Sequence, residues 1–298
     1  MIDKRNYKKA NKFNDKIRKI LPNNCTLLNN KGRILCSNHN IYGSLDFFLK
    51  SYNNNNNFTC PLNNYLLYSL YLNDTFHNNI KKHIKYGINY YKKYNIYTEK
   101  NCIYNNNLIN IGYVSGDFDG KHPVNDFIKP LLNNYNIDEF NVFCYSNIQN
   151  TKKDLFNKNI HWRSIFQVDT QDAINIIQND KIDILFDLST HTAENRLDIF
   201  CNRVAKIQIN YIGYPFISGI PTIDYYLIDK TFGDTKLKTL KLPNCFTHYT
   251  PRIDIDCKLI SPYHTNNYIT FGCLNNLKKI NNKVVELWDS ILDKFPNS

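Results

Sequence analysis

The chain has no CxxC pair, no GxGxxG, no GxxxxGK[ST] loop and no GxSxG elbow. Dehydrogenase, P-loop NTPase and serine-hydrolase readings are thereby left without their usual motifs. No apolar run reaches transmembrane length, and the opening stretch MIDKRNYKKANKFNDKIRKIL is too charged for a secretory h-region. The cysteines, Cys25, Cys36, Cys60, Cys102, Cys144, Cys201, Cys245, Cys257 and Cys273, are odd in number and do not cluster with histidines. That argues against a zinc site or a disulfide framework, and for reduced, mostly buried thiols in a soluble intracellular protein. No recognisable nucleic-acid module accompanies the net charge of +11, and the basic residues are scattered. The lysine excess therefore reads as a solvated surface, with neither nucleic acid nor membrane as partner.

What remains is a chain of 298 residues, 42% hydrophobic, with room for one large domain or two smaller ones. Tyr7, Phe13, Ile17 and Ile20 form a narrow apolar stripe over residues 4 to 20, which predicts a loosely docked terminal helix. Asparagine-rich stretches around Asn23, Asn24, Asn29 and Asn30, and from Asn53 to Asn57, read as loops. From Leu62 the spacing turns helical, through Leu66, Leu67, Leu70 and Tyr71. After a break at Asn73 and Asp74 it resumes at Phe76, Ile80, Ile84, Ile88 and Tyr91, predicting two packed helices. His77 and His83 sit beside this stripe with no ligand-spaced partner, as helix-surface or core histidines rather than metal ligands.

The block Leu108, Ile109, Ile111, Tyr113 and Val114 predicts a buried strand. A polar loop, Ser115 to Pro123, leads from it to a helix carrying Val124, Phe127, Ile128 and Leu131. Open α/β sheets bind ligands at such loops, and this one carries Asp117 and His122. Further strands are predicted at Phe140 to Tyr145, Ile182 to Phe186, Ile207 to Tyr211 and Ile223 to Ile228. Asp169 is placed to cap a helix through Ala173, Ile174, Ile176 and Ile177. The polar loop Asp187 to Arg196 leads to a short helix at Leu197, Ile199 and Phe200, and Gly213-Tyr214-Pro215 makes a turn. This alternation predicts a mostly parallel, doubly wound sheet. Tyr268 to Phe271 repeats the plan as a strand, followed by a loop with Asn275, Asn276, Lys278 and Lys279 and a helix capped by Asn281. Such a unit is either an appendage of the preceding sheet or the opening of a second domain.

Three strand-end loops thus carry titratable groups: Asp117 with His122, Asp187 with His191, and Lys278 with Lys279. Carboxylate and imidazole serve as acid and base near neutral pH, and a lysine can neutralise a departing phosphate. The set suits transfer of a phosphate-activated group. On spacing alone, capping roles for Asp117 and Asp187 and solvated lysines stand beside that reading.

The segments GYVSGDFDGKHPV (Gly112 to Val124), DLSTHTAENRLDIF (Asp187 to Phe200), IQINYIGYPFISGIPTIDYYLID (Ile207 to Asp229) and ITFGCLNNLKKINNKVVELWDSIL (Ile269 to Leu292) resemble the catalytic region of the protein O-GlcNAc transferase and SPINDLY family, glycosyltransferase family 41. The likeness covers roughly residues 62 to 298. It implies a GT-B-like α/β fold: an unassigned helical or loop region at 1–61, a helical lead-in at 62–100, an N-terminal Rossmann-like domain at 101–262, and only the start of a second one at 263–298. It implies inverting transfer, without a metal or cofactor, from a nucleotide sugar to Ser or Thr of an acceptor protein in the cytoplasm or nucleus. The donor is UDP-GlcNAc or, in the SPINDLY-like alternative, GDP-fucose; a non-catalytic protein-binding remnant is the other alternative. A separate C-terminal catalytic chain is a further implied partner. By resemblance Asp117 and His122 lie beside the donor sugar, Ile212, Gly213 and Pro215 contact it, and Asn276 binds the donor. Lys279 sits on the diphosphate, and Asp187 and His191 belong to the cleft wall. The chain departs from the family in an extra residue between Asp117 and His122, in Lys121 where some members have an amide, and in Phe216-Ile217 after the Gly-Tyr-Pro turn.

Overall fold

Short asparagine side chains start the amino-terminal helices. In α1 (Tyr7–Arg18), α2 (Cys25–Ser37) and α3 (Ile41–Asn54), the caps Asn6, Asn24 and Asn40 accept from the N–H of Lys9, Leu27 and Gly43. The structure, a computed structural model, describes residues 6–72, 74–96, 102, 105–232, 237–249 and 260–298. It divides into two units, Met1–Asn79 with Asp254–Ser298, and Ile80–Ile253.

In the first unit two expectations are corrected. Asn29 and Asn30 lie inside α2 and Asn53 and Asn54 inside α3, where loops were expected. Low complexity describes composition, whereas Leu28, Gly32 and Cys36, four residues apart and buried, define a helical face. Asn29 itself is buried and accepts from Asn64 Nδ2 at 3.0 Å. In α1 the face that docks is that of Ala10 and Asn14, while Phe13, Ile17 and the following Ile20 stay exposed. Asn14 Nδ2 donates to the Leu27 carbonyl at 2.9 Å, so a polar contact sets the rotation of the helix. Phe48 and Tyr68 stack at 5.8 Å where α3 meets α4 (Cys60–Ser69). The predicted break after α4 precedes α5 (Phe76–Tyr94); Asn73 lies outside the described residues.

The second unit is built on a parallel sheet. Its strands are β1 (Ile109–Ser115), β2 (Phe140–Ser146), β3 (His161–Ser164), β4 (Ile184–Asp187), β5 (Ile207–Asn210), β6 (Tyr225–Asp229) and β7 (Thr239–Leu242), in the order β3-β2-β1-β4-β5-β6-β7. Successive residues of a strand face opposite sides, and both sides are covered. Val114, Tyr145 and Leu185 pack with Ile174 and Ile177 of α7 (Thr170–Asn179) and Phe200 of α8 (Leu197–Phe200). Tyr113, Val142 and Cys144 pack with Val124, Ile128 and Leu132 of α6 (Pro123–Asn133) on the other. Asp169 caps α7 as expected, its Oδ1 accepting from Asp172 N at 2.8 Å. Sequence reading missed β3 and β7, the two edge strands, each of four residues. None of their residues is fully buried, and they lack the continuous apolar run that marks a central strand.

Near the carboxyl end come α9 (Pro262–Asn266), a 3-10 turn at Leu277–Lys279, and α10 (Asn282–Lys294), capped by Asn281 as expected. The strand expected at Tyr268 to Phe271 is absent. Those residues are irregular and Tyr268, Ile269 and Phe271 are exposed. An apolar run becomes a strand only against a partner backbone.

Candidate active site at the topological switch point

Strand order reverses between β1 and β4, which pair directly from Ile111↔Ile184 to Val114↔Asp187. Connections leaving the two strands diverge there and open a crevice beyond their carboxyl ends. The loop after β1 carries Asp117 and His122; the loop after β4 carries Asp187 and His191. Leu188 N donates to Val114 O at 3.0 Å, and Gly116 N to Ser189 Oγ at 3.2 Å, tying the two loops together.

His122 is the N-cap of α6. Its Nδ1 accepts from Val124 N in a long capping contact of 3.4 Å. Asp117 Oδ2 lies 3.4 Å from the same Nδ1. Burial pushes the Asp117 carboxyl above its ordinary value, the charge of His122 pulls it back, and Asp119 pushes it up. Asp119 shapes the loop, Oδ1 accepting from the N–H of Lys121 at 2.8 Å and of His122 at 2.9 Å. Asp119 thus holds the turn before α6, and Asp117 and His122 stand as a pair with a half-exposed imidazole.

Asp187 is buried, and its carboxylate organises its own loop. Oδ1 accepts from the N–H of Ser189 and Thr190 at 3.0 and 2.9 Å, and Oδ2 from Asn210 Nδ2 at 2.7 Å. His191, also buried, has Nε2 at 3.0 Å from the Ser218 carbonyl. Burial, outweighing these bonds, raises Asp187 from 3.8 to about 6. Burial, then the charge of His83, lowers His191 from 6.5 to about 3.

The signs oppose. Unfolded His191 takes up its proton first, so its contribution to stability is present above about pH 6.5 and is lost as pH falls towards 3. Folded Asp187 holds its proton longer, so its contribution grows as pH falls from about 6 to 3.8. Replacing His191 by Gln removes only the first slope. The stability of His191→Gln minus that of the parent chain is expected to rise by about 1.4 kcal/mol per pH unit below pH 6, read from thermal melts. A difference independent of pH would show that His191 is not held neutral by burial.

The third wall follows β5. Tyr211 N donates to Asp187 O at 3.0 Å, Ile212 has φ 66, and Gly213 N donates to Tyr211 O at 3.0 Å. A β-branched residue in the left-handed region is costly and persists only where its surroundings enforce it. A Cβ on Gly213 would stand 1.8 Å from the Leu188 carbonyl oxygen, so this turn closes on the β4 loop through bare backbone. Pro215 is exposed beside it. Tyr214 Oη lies 2.7 Å from His83 Nε2, and the His83 ring is 5.7 Å from His191 and 4.8 Å from Phe216. His83, read from the sequence as a helix-surface or core histidine, is buried and anchors the turn. Neither this role nor that of Tyr214 was anticipated; the clue was an imidazole beside an apolar helical stripe, which called for a buried polar partner.

Asn276, Lys278 and Lys279 belong to the first unit. Asn276 Oδ1 accepts from Lys278 N at 3.1 Å and opens the 3-10 turn. Lys278 Nζ donates to Tyr68 Oη at 3.4 Å and stands 5.4 Å over that ring, whereas Lys279 is exposed. Among the described residues no cluster of three or more His, Cys, Asp or Glu could hold a metal ion, and no helix is long and apolar enough to cross a membrane.

Comparison with known proteins agrees with this architecture. The profile of glycosyl transferase family 41 matches residues 68–241, more than half of the chain. A probable UDP-N-acetylglucosamine–peptide N-acetylglucosaminyltransferase SPINDLY of Arabidopsis thaliana is 36% identical over 203 residues, covering 64% of this chain and 22% of that protein. The rice SPINDLY protein is 34% identical over 250 residues, 79% of this chain and 27% of its own length. Arabidopsis SEC, similarly named, is 30% identical over 215 residues, 64% of this chain and 21% of that one. The chain therefore spans about a quarter of the length of these curated relatives. An O-GlcNAc transferase mutant from Thermobaculum terrenum matches in structure with a TM-score of 0.84 at 20% identity, over 98% of this chain and 57% of that one. The fold is accordingly the GT-B-like α/β arrangement, a parallel sheet preceded by helices. With its sheet, its switch-point loops and its matching profile, the chain belongs to glycosyltransferase family 41.

Proposed function

We propose that the chain carries the sugar-side part of a protein O-glycosyltransferase site, acting by inverting transfer from a nucleotide sugar to Ser or Thr. The observation that carries this reading is the bonding of the β1, β4 and β5 loops to one another at the switch point, within the family's matched region. The donor sugar is assigned to the space between the Asp117–His122 pair and the Ile212-Gly213-Pro215 turn, with Asp187 and His191 holding the wall behind it. The acceptor oxygen bonds to the anomeric carbon on the face opposite the departing diphosphate oxygen, the bond from that carbon to the diphosphate breaks, and the hydroxyl proton passes to the departing phosphate. His122 orients and polarises groups near that carbon. Lys279 neutralises charge on the leaving diphosphate, and Asn276 contacts the donor. No metal or cofactor enters this scheme.

UDP-GlcNAc is the first donor assignment, in keeping with the names of the relatives. GDP-fucose, the donor of the SPINDLY-like alternative, is the second. Mass spectrometry of an acceptor protein incubated with each donor separates the two. Lys279→Ala is expected to lower transfer about 10²–10³-fold, the loss typical of a group that stabilises developing negative charge. Unchanged turnover in that variant would remove Lys279 from the mechanism.

A further inference from the structure

A cavity of about 680 Å³ lies at the carboxyl ends of β2 and β3, lined by Asp119, Lys121, Lys152, Lys153, Thr151 and Ser164 among others. It is part of the fold. Thr151 Oγ1 is 2.7 Å from Ser146 Oγ at the end of β2, and Ser164 ends β3. Lys152 N donates to the Phe118 carbonyl at 2.9 Å, fastening the lysine loop to the loop that carries His122. Gly120, with φ +73, packs where a Cβ would stand 2.7 Å from Leu155 Cδ1. Three lysines face a single carboxylate there. That carboxylate is already satisfied: burial raises Asp119, but the N–H groups of His122 and Lys121 more than offset it and hold the acid below its ordinary value. Lys152 and Lys153 are exposed, and among the described residues no carboxylate lies within ion-pair distance of either. Lys152 and Lys153 thus bring positive charge to a cavity with polar hydroxyls and a lining more polar than apolar, which suits carboxylates better than an apolar side chain.

We infer that this basic cavity is an acceptor subsite that selects polypeptide segments with Asp or Glu close to the modified Ser or Thr. The inference rests on the transferase reading, because Lys121 adjoins His122, which that reading sets near the anomeric carbon that the acceptor hydroxyl attacks. An extended peptide advances about 3.3 Å per residue, so the acidic side chains fall roughly two to four residues from that hydroxyl.

The test is fluorescence anisotropy of the full chain with labelled serine peptides that carry Glu on either side of the serine, or Gln at the same positions. The Glu peptides are expected to bind about tenfold more tightly at low salt, as a few exposed ion pairs allow, with the advantage shrinking as salt is added. Lys152→Glu combined with Lys153→Glu should abolish that preference while leaving the thermal melt and the binding of UDP-GlcNAc or GDP-fucose unchanged. Equal binding of Glu and Gln peptides, or a preference that survives the double substitution, overturns the subsite. Loss of nucleotide-sugar binding in the double variant also overturns it, by assigning the cavity to the donor. Should the peptide preference hold while neither nucleotide sugar binds, the acidic-segment site stands and the transferase reading is what fails.

Discussion

Gly213→Ala is expected to lower stability by about 3 kcal/mol and to weaken donor binding with it. The added methyl would sit 1.8 Å from the Leu188 carbonyl oxygen, a backbone atom that cannot rotate away. Relief requires the β5 loop to move off the β4 loop, and Ile212 already holds a left-handed conformation (φ 66) that such a shift would disturb. His83 and Tyr214 resist the movement from the other side, their side chains being 2.7 Å apart. For a domain of this size the loss corresponds to a fall in Tm of roughly 5–10 °C by calorimetry. An unchanged melt would mean that Leu188 yields freely and that the crevice wall is not fixed by this contact.

The second large effect falls on chemistry with little change in stability. His122→Ala is expected to lower transfer about 10²–10⁴-fold, the range for removal of a positioned imidazole. Its structural cost should be small, about 0.5 kcal/mol, because the bond lost to Val124 N is long, at 3.4 Å, and the ring is half-exposed. His122→Asn separates the two roles: an asparagine can restore the cap of α6 but supplies no imidazole. Steady-state rates and melts of both variants check this. Recovery of transfer in His122→Asn would show that the residue serves only to hold the helix.

Both variants probe residues already visible in the sequence, and the reason is local. Asp117 and His122 share one loop between an apolar strand and an apolar helix, so their proximity follows from the short span between them. Gly213 and Leu188 are a different matter: the strand pattern predicted both segments, but only the pairing of β4 with β5 brings the glycine against that carbonyl. The central strands were legible because both faces are buried. β3 and β7 were not, because short polar edge strands take their conformation from a neighbour's hydrogen bonds. Tyr268 to Phe271 fails in the opposite sense, having the composition of a strand and no partner. In α1 the apolar stripe pointed to the wrong face, since Asn14 bonding to Leu27 outweighed a few exposed aromatic and aliphatic side chains. Buried polar contacts of this kind leave no periodic trace, and for the same reason His83, Tyr214 and the Asp187–Asn210 bond emerged only from the fold.

The central claim is that a donor sugar binds where the loops after β1, β4 and β5 converge. Amide spectra of the full chain, titrated to millimolar UDP-GlcNAc and separately GDP-fucose, test it even where affinity is weak. The account predicts that one of the two donors shifts the amides of Gly116, His122, Ile212 and Gly213 together. The same donor should leave Asn106, Asn110 and Lys181, bonded to one another at the opposite ends of the strands, unmoved. Spectra in which neither donor perturbs Gly213 and His122, while the chain remains folded, would contradict it.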